Sequence, residues 1–139
     1  MNQMDPVRCA WCSDDPLYQR YHDEEWGVPC RDADSLFEML MLEGFQAGLS
    51  WITVLRKREH YRKVFDGFDA EKIVRYDDRK VAALLQDAGI IRNRLKVAAT
   101  IGNARSYLAL RDEGLTLSDF LWDFVDGSPQ INHFHTLKE

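Results

Sequence analysis

The sequence has little of what would place it in several common classes. It holds only three cysteines, Cys9, Cys12 and Cys30. An odd number, with no secretion signal at the N-terminus, argues against a disulfide framework. No apolar run is long enough to span a membrane, and the first residues lack the layout of a signal peptide, so a soluble, cytoplasmic protein is expected. Positive charge is not in excess: 18 basic against 23 acidic residues leave a net charge of -5. That balance argues against a generally basic nucleic-acid binder and requires any such contact to use a local basic surface. Strand signals are few. There is no P-loop, dinucleotide-binding glycine pattern or nucleophile elbow, and no internal repeat or Gly/Ser linker. The four histidines, His22, His60, His133 and His135, are too dispersed to suggest a catalytic triad.

What is present reads as helix. A hydrophobic content of 45% with 29% charged residues specifies a globular chain with one substantial core. The predicted class is all-α, a compact helical domain over residues 1–139. Asp15-Pro16 suits a helix start, with the aspartate as cap and proline at the first position. Asp34 or Ser35 can cap a second helix to about Ala47. A third runs from Trp51 through the basic stretch Arg56–Lys63, read as a solvated cationic face. Asp69 and then Asp77 or Asp78 cap two short helices, and Ser118 caps a last one to about Val125.

Two stretches carry chemistry. In Leu40–Trp51, Glu43 shares helical spacing with Leu36, Leu40 and Ala47, which puts a carboxylate where a core residue is expected. A buried carboxylate needs a partner. It is either a structural group satisfied by backbone or arginine, or the floor of a pocket with Trp51 as a stacking wall. The second stretch is Val81–Lys96. Gly89 ends one helix, Ile90 and Ile91 plug a turn, and another helix runs to about Arg111. This is a helix-hairpin-helix pattern whose amides can take a phosphate. Arg92, Arg94, Lys96 and Arg105 follow with no acid between Ala88 and Leu110. The alternative is an ordinary tight turn with a solvated cationic helix. Leu95, Ala98, Ala99 and Gly102 read as a small-residue packing face on that helix. Cys9-Ala10-Trp11-Cys12 with His22 offers two or three metal ligands, short of the four a structural zinc site takes.

Together these residues make the family recognisable. Cys9-Ala10-Trp11, Asp15-Pro16-Leu17-Tyr18, Tyr21-His22-Asp23, Glu25–Pro29, Leu42-Glu43-Gly44, Gln46–Leu55 and Gln86–Arg92 resemble the 3-methyladenine DNA glycosylase I family, among the helix-hairpin-helix DNA glycosylases. The resemblance implies an enzyme that flips 3-methyladenine out of double-stranded DNA and hydrolyses its N-glycosidic bond. On it, Glu43 is the catalytic, base-binding carboxylate, and Tyr21, Trp51 and Trp11 contact or stack on the base. Gln46, Gly48 and Leu49 enter the gap left by the base, and Gly89, Ile90, Ile91, Arg92 and Arg94 hold the DNA backbone. Asn93 stands where lyase-type relatives carry a lysine, which implies simple hydrolysis. Family members bind a structural zinc through a Cys and His matched by Cys9 and His22, completed from a C-terminal segment. This chain stops at Glu139, before that segment, so the zinc site is expected to be incomplete, with Cys12, His133 and His135 as weaker candidates. No membrane and no protein partner is implied, and the place of work is the cytoplasm, at the nucleoid. A non-catalytic DNA-binding module using only the hairpin is the competing reading, with a small zinc protein behind it.

Overall fold

The computed structural model describes residues 5–139. Its α-helices are α1 (Pro16–Glu24), α2 (Ala33–Gln46), α3 (Trp51–Leu55), α4 (Arg58–Val64), α5 (Ala70–Ile73), α6 (Asp78–Leu85), α7 (Arg94–Asp112) and α8 (Leu117–Trp122), with short 3-10 turns at Ala10–Cys12, Asp66–Phe68 and Asp123–Val125. No strand forms among the described residues.

Short polar side chains start most of these helices by satisfying first-turn amides. Asp15 accepts from the amides of Leu17 and Tyr18 ahead of α1, with Pro16 behind it. Asp69, Asp77 and Asn93 do the same for α5, α6 and α7. Two caps differ from expectation. Asp32, not Asp34 or Ser35, starts α2, because its carboxylate takes both the amide (2.9 Å) and the hydroxyl (2.7 Å) of Ser35. Asp34 is thereby left in the first turn, where it accepts from Tyr107 Oη at 2.7 Å. Thr116, not Ser118, caps α8, its hydroxyl accepting from the Asp119 amide at 3.0 Å.

The core gathers around α2, which presents Phe37, Met41, Leu42 and Phe45 to Val54, Tyr61, Phe65, Ile73, Leu84, Ile90, Val97 and Ala104. This face corrects the reading of Glu43. The buried row of α2 is Phe37–Met41–Phe45, with Leu42 beside it, and Glu43 is exposed. On α7 the buried residues are Val97, Thr100 and Ala104. Leu95, Ala98 and Ala99 face outward, and a Cβ at Gly102 would meet nothing, so no close helix packing uses that row.

The basic stretch Arg56–Lys63 also differs. It breaks at Lys57 into α3 and α4, and its arginines are paired with carboxylates rather than free, although Arg56 remains exposed. Arg56 reaches Asp15 (2.6 Å), Arg58 clasps Glu25 through two bonds (2.7 and 2.9 Å), and Arg62 clasps Glu38 (2.7 and 2.9 Å). These pairs fasten α1 and α2 to α3 and α4. Planar two-bond geometry makes the last two the firmest of them.

Candidate base pocket and hairpin

A cavity of about 250 Å³ opens where α1, the end of α2 and the start of α3 meet, lined by Trp11, Tyr18, Tyr21, Trp26, Glu43, Gln46 and Trp51. Trp11 sits among four rings, with centroids 5.0 Å from Tyr18, 5.2 Å from His22, 5.6 Å from Trp26 and 6.3 Å from Tyr21. Tyr21 in turn lies 5.4 Å from Trp51. The three aromatics picked from the sequence are therefore brought together with Glu43. Trp26 and Tyr18, which were not assigned to the site, also line it. Trp26 lies beyond the end of α1, and its place in the wall depends on where the chain turns after Glu25, which helical spacing does not reveal. A second cavity of about 390 Å³ continues past Glu43 along Tyr21, Glu25, Trp26, Glu38, Met39 and Arg62.

The polar atoms of the pocket are unequally satisfied. Glu38 and Glu25 have arginine partners, whereas Glu43 makes no hydrogen bond to any described residue. The indole Nε1 of Trp51 is buried without a partner among the described residues, which is uncommon for a buried donor. Burial first, then the negative charges of Glu43 and Glu25, push the Tyr21 hydroxyl above the ordinary tyrosine range. The pocket thus combines a neutral phenol, one uncommitted carboxylate and several indole faces. That set suits a flat, cationic, hydrogen-bonding ligand.

Below the pocket, α2 ends at Gln46 and the chain turns through Ala47, Gly48 and Leu49 into α3. Gly48 has φ of 81°, a left-handed conformation that favours glycine. The Gln46 side chain donates to the Leu49 carbonyl (2.6 Å) and the Leu49 amide donates to the Gln46 carbonyl (2.7 Å). The turn is therefore pre-shaped, with Leu49 exposed at 41%.

The hairpin between α6 and α7 is present, but its amides are not all free. Asp87 accepts from the Gly89 amide (2.8 Å) and pairs with His60 Nε2 (2.7 Å). The Ile90 amide donates to the Asp87 carbonyl and the Ile91 amide to Tyr61 Oη (2.9 Å). Ile90 is core, 3% exposed. The amides left without an acceptor among the described residues are those of Ala88, Arg92, Arg94 and Leu95, the last two in the first turn of α7. The exposed side chains of Arg92, Arg94 and Arg105 make no ion pair there. Lys96, grouped with them in the sequence, instead donates to the carbonyls of Phe45 (2.9 Å) and Ala47 (2.6 Å).

The N-terminal Cys and His also meet. The Cys9 amide donates to His22 Nε2 (3.2 Å), and His22 Nδ1 lies 2.9 Å from Asp23, itself held by three bonds from Arg8. The Nδ1–H committed to a carboxylate fixes the tautomer found in metal-bound histidines, but here the Nε2 lone pair accepts from the Cys9 amide. Among the described residues, no three His, Cys, Asp or Glu side chains converge on one point, and Cys9 and His22, two potential ligands where a structural zinc takes four, meet through the Cys9 amide rather than its thiol. Cys12 is buried and its thiol donates to the Cys9 carbonyl at 3.1 Å. No helix among the described residues is long and apolar enough to cross a membrane.

This arrangement matches known proteins along nearly its whole length. The profile of the methyladenine glycosylase family covers residues 11–139. DNA-3-methyladenine glycosylase 1 of Escherichia coli (strain K12) is 55% identical over 132 residues, which are 95% of this chain and 71% of that protein. A crystal structure of 3-methyladenine DNA glycosylase I superposes with a TM-score of 0.93 at 55% identity, covering 95% of this chain and 72% of that one. A substituted 3-methyladenine DNA glycosylase I solved in complex with 3-methyladenine superposes at 0.84 with 36% identity, covering 88% of this chain and 66% of its own. By this extent of match in sequence and fold, the chain belongs to the 3-methyladenine DNA glycosylase I family.

Proposed function

We propose that Glu43 and the rings around it are the pocket in which this glycosylase takes 3-methyladenine out of double-stranded DNA for base-excision repair. The observation that carries the reading is Glu43 itself: a carboxylate at the mouth of an aromatic pocket, without a partner among the described residues, beside two carboxylates that have them. N3-methylation gives adenine a positive charge while it is bonded to the sugar, so the base is already a good leaving group. The enzyme needs recognition and placement more than strong acid catalysis. Trp51, Tyr21 and Trp11 would sandwich the cationic ring, each stacked ring contributing roughly 1–3 kcal/mol. Glu43 would balance its charge and select it over neutral adenine.

In the reaction, the C1′–N9 bond breaks with its electron pair moving to the base. The sugar cation takes up the oxygen of a water, which loses a proton, and neutral 3-methyladenine leaves. No side chain bonds to the sugar, since Asn93 caps α7 through the Lys96 amide and offers no amine; borohydride trapping of the protein to damaged DNA would contradict this. Gln46, Gly48 and Leu49 would fill the gap left by the base. Of the hairpin residues, Arg92 and Arg94 would hold the backbone, the open amides at the start of α7 and the arginine charges meeting phosphate, while Gly89, Ile90 and Ile91, whose amides are bonded inside the protein, would shape the hairpin that presents them.

Zinc, where present, would be held on this side by Cys9 and His22, fastening the N-terminal residues to α1. Stoichiometric loss of metal in C9S with retained helicity is the matching test. The work would be done in the cytoplasm, on the nucleoid, by residues 1–139 acting as one domain. The deciding assay is release of free 3-methyladenine from alkylated duplex DNA. Wild type should release it, and Glu43→Gln should lose release while keeping duplex affinity. A Gln variant as active as wild type would overturn the role of Glu43, and binding without release in both would favour a non-catalytic module.

A further inference from the structure

Lys96 stands on the side of α7 that faces α2, one turn past the hairpin. Its ammonium donates to the carbonyls of Phe45 (2.9 Å) and Ala47 (2.6 Å), which flank Gln46. Those carbonyls belong to the end of α2, where helical geometry leaves acceptors unpaired and the helix dipole favours a cation. The Lys96 backbone is itself fixed. Its amide donates to Asn93 Oδ1 (3.0 Å) and its carbonyl accepts from Thr100 Oγ1 (2.9 Å).

A second tie runs parallel to it. The Ile91 amide of the hairpin donates to Tyr61 Oη, and the Tyr61 ring packs 4.7 Å from Phe45. The hairpin and the Gln46–Leu49 turn are thus joined twice, once by packing and once by a charge.

We propose that Lys96 is a positioning residue: it sets the turn Gln46–Leu49 against the start of α7, so that seating the hairpin on phosphate also places Leu49 for insertion. This rests on the reading of that turn as the element that enters the gap. A lysine reserved for two backbone carbonyls contributes no phosphate contact, so its loss should spare DNA affinity and its salt dependence. It also does not line the cavity whose rings hold the free base. The effect should fall on the extrusion step alone, where a misplacement of about 1 Å can cost on the order of a hundredfold in rate.

The experiment compares wild type with K96M and K96R in three measurements. Single-turnover release of 3-methyladenine should fall about ten- to a hundredfold in K96M and recover in part in K96R, which can still donate to a carbonyl. Fluorescence of 2-aminopurine beside a tetrahydrofuran abasic site in duplex DNA should report weaker insertion in K96M. Quenching of tryptophan fluorescence by free 3-methyladenine should be unchanged. If K96M does not fold, K96Q, which keeps one donor and no charge, carries the same comparison. Release at the wild-type rate overturns the proposal. So does a loss matched by lost free-base binding, or failure of both variants to fold. L49G is the separate control: wild-type insertion in L49G would overturn the reading of the turn itself, whatever K96M does.

Discussion

Replacing Gly89 by alanine tests whether the hairpin is held by the His60–Asp87 pair. Gly89 does not occupy a left-handed conformation, so backbone strain plays no part. A Cβ there would lie 2.3, 2.5 and 2.9 Å from three atoms of the His60 ring. The ring cannot simply yield, because its Nε2 is bonded to Asp87, which also holds the Gly89 amide. Moving His60 forfeits the first bond and loosens the second. Overpacking of this kind costs about 1–3 kcal/mol. For a chain of this length each kcal/mol corresponds to about 3–5 °C in Tm. Removing the ring should reverse the effect. H60A alone should cost about 0.5–1.5 kcal/mol for the lost bond. In that background G89A should be neutral or stabilising by about 0.4–1 kcal/mol, through reduced freedom of the unfolded chain. Urea unfolding of the four proteins, followed by tryptophan fluorescence, gives the cycle, and a coupling above about 1 kcal/mol is expected. An equal cost of G89A with and without His60, or no cost in either, would refute the steric account.

Three further outcomes are expected. Y61F removes the acceptor of the Ile91 amide and should destabilise by about 1–3 kcal/mol, read as a lower urea midpoint together with weaker duplex binding. R92A and R94A should each weaken binding to damaged and undamaged duplex alike and reduce the slope of log K against log salt by about 1; a titration at three salt concentrations measures it. The Asp87 carboxyl is held below the usual range, first by His60 and then by the Gly89 amide. Its folded pKa being depressed, its contribution is present above the unfolded value of about 3.9 and lost as pH falls through the lower folded one. D87N should therefore flatten part of the acid limb of the stability curve below about pH 4 relative to wild type, and unchanged curvature would count against the bond.

Local chemistry was legible wherever a short-range pattern decides it. Asp15-Pro16, Asp69 and Asp77 start helices through neighbours only two or three residues away, whereas α6 stops at Leu85, with Gln86 as its cap, and not at Gly89 as the sequence suggested. The all-helical class and the hairpin pattern were readable in the same way, while the grouping of Tyr21 with Trp51 and Glu43 came from the family resemblance. At the start of α2 the cap is Asp32, through the amide and hydroxyl of Ser35, and Asp34 is left to accept from Tyr107, which is distant in sequence.

Facing and pairing were decided only by the tertiary structure. Helical spacing groups Glu43 with Leu36 and Leu40, but which stripe of α2 is buried depends on the helices that cover it. They chose Phe37, Met41 and Phe45. Arg56, Arg58 and Arg62 read as a free cationic face because their acids lie on α1 and α2, 24 to 41 residues earlier. Lys96 read as one more positive charge near DNA, and only the packing of α7 on α2 showed its ammonium already bound to carbonyls. Sequence by itself determined which groups could act: one carboxylate among aromatic rings, a hairpin and a run without acids, all set by residue type and spacing. The fold decided which of those groups are left unpartnered, because a charge is available to a ligand only when no neighbour brought in from elsewhere in the chain has already neutralised it.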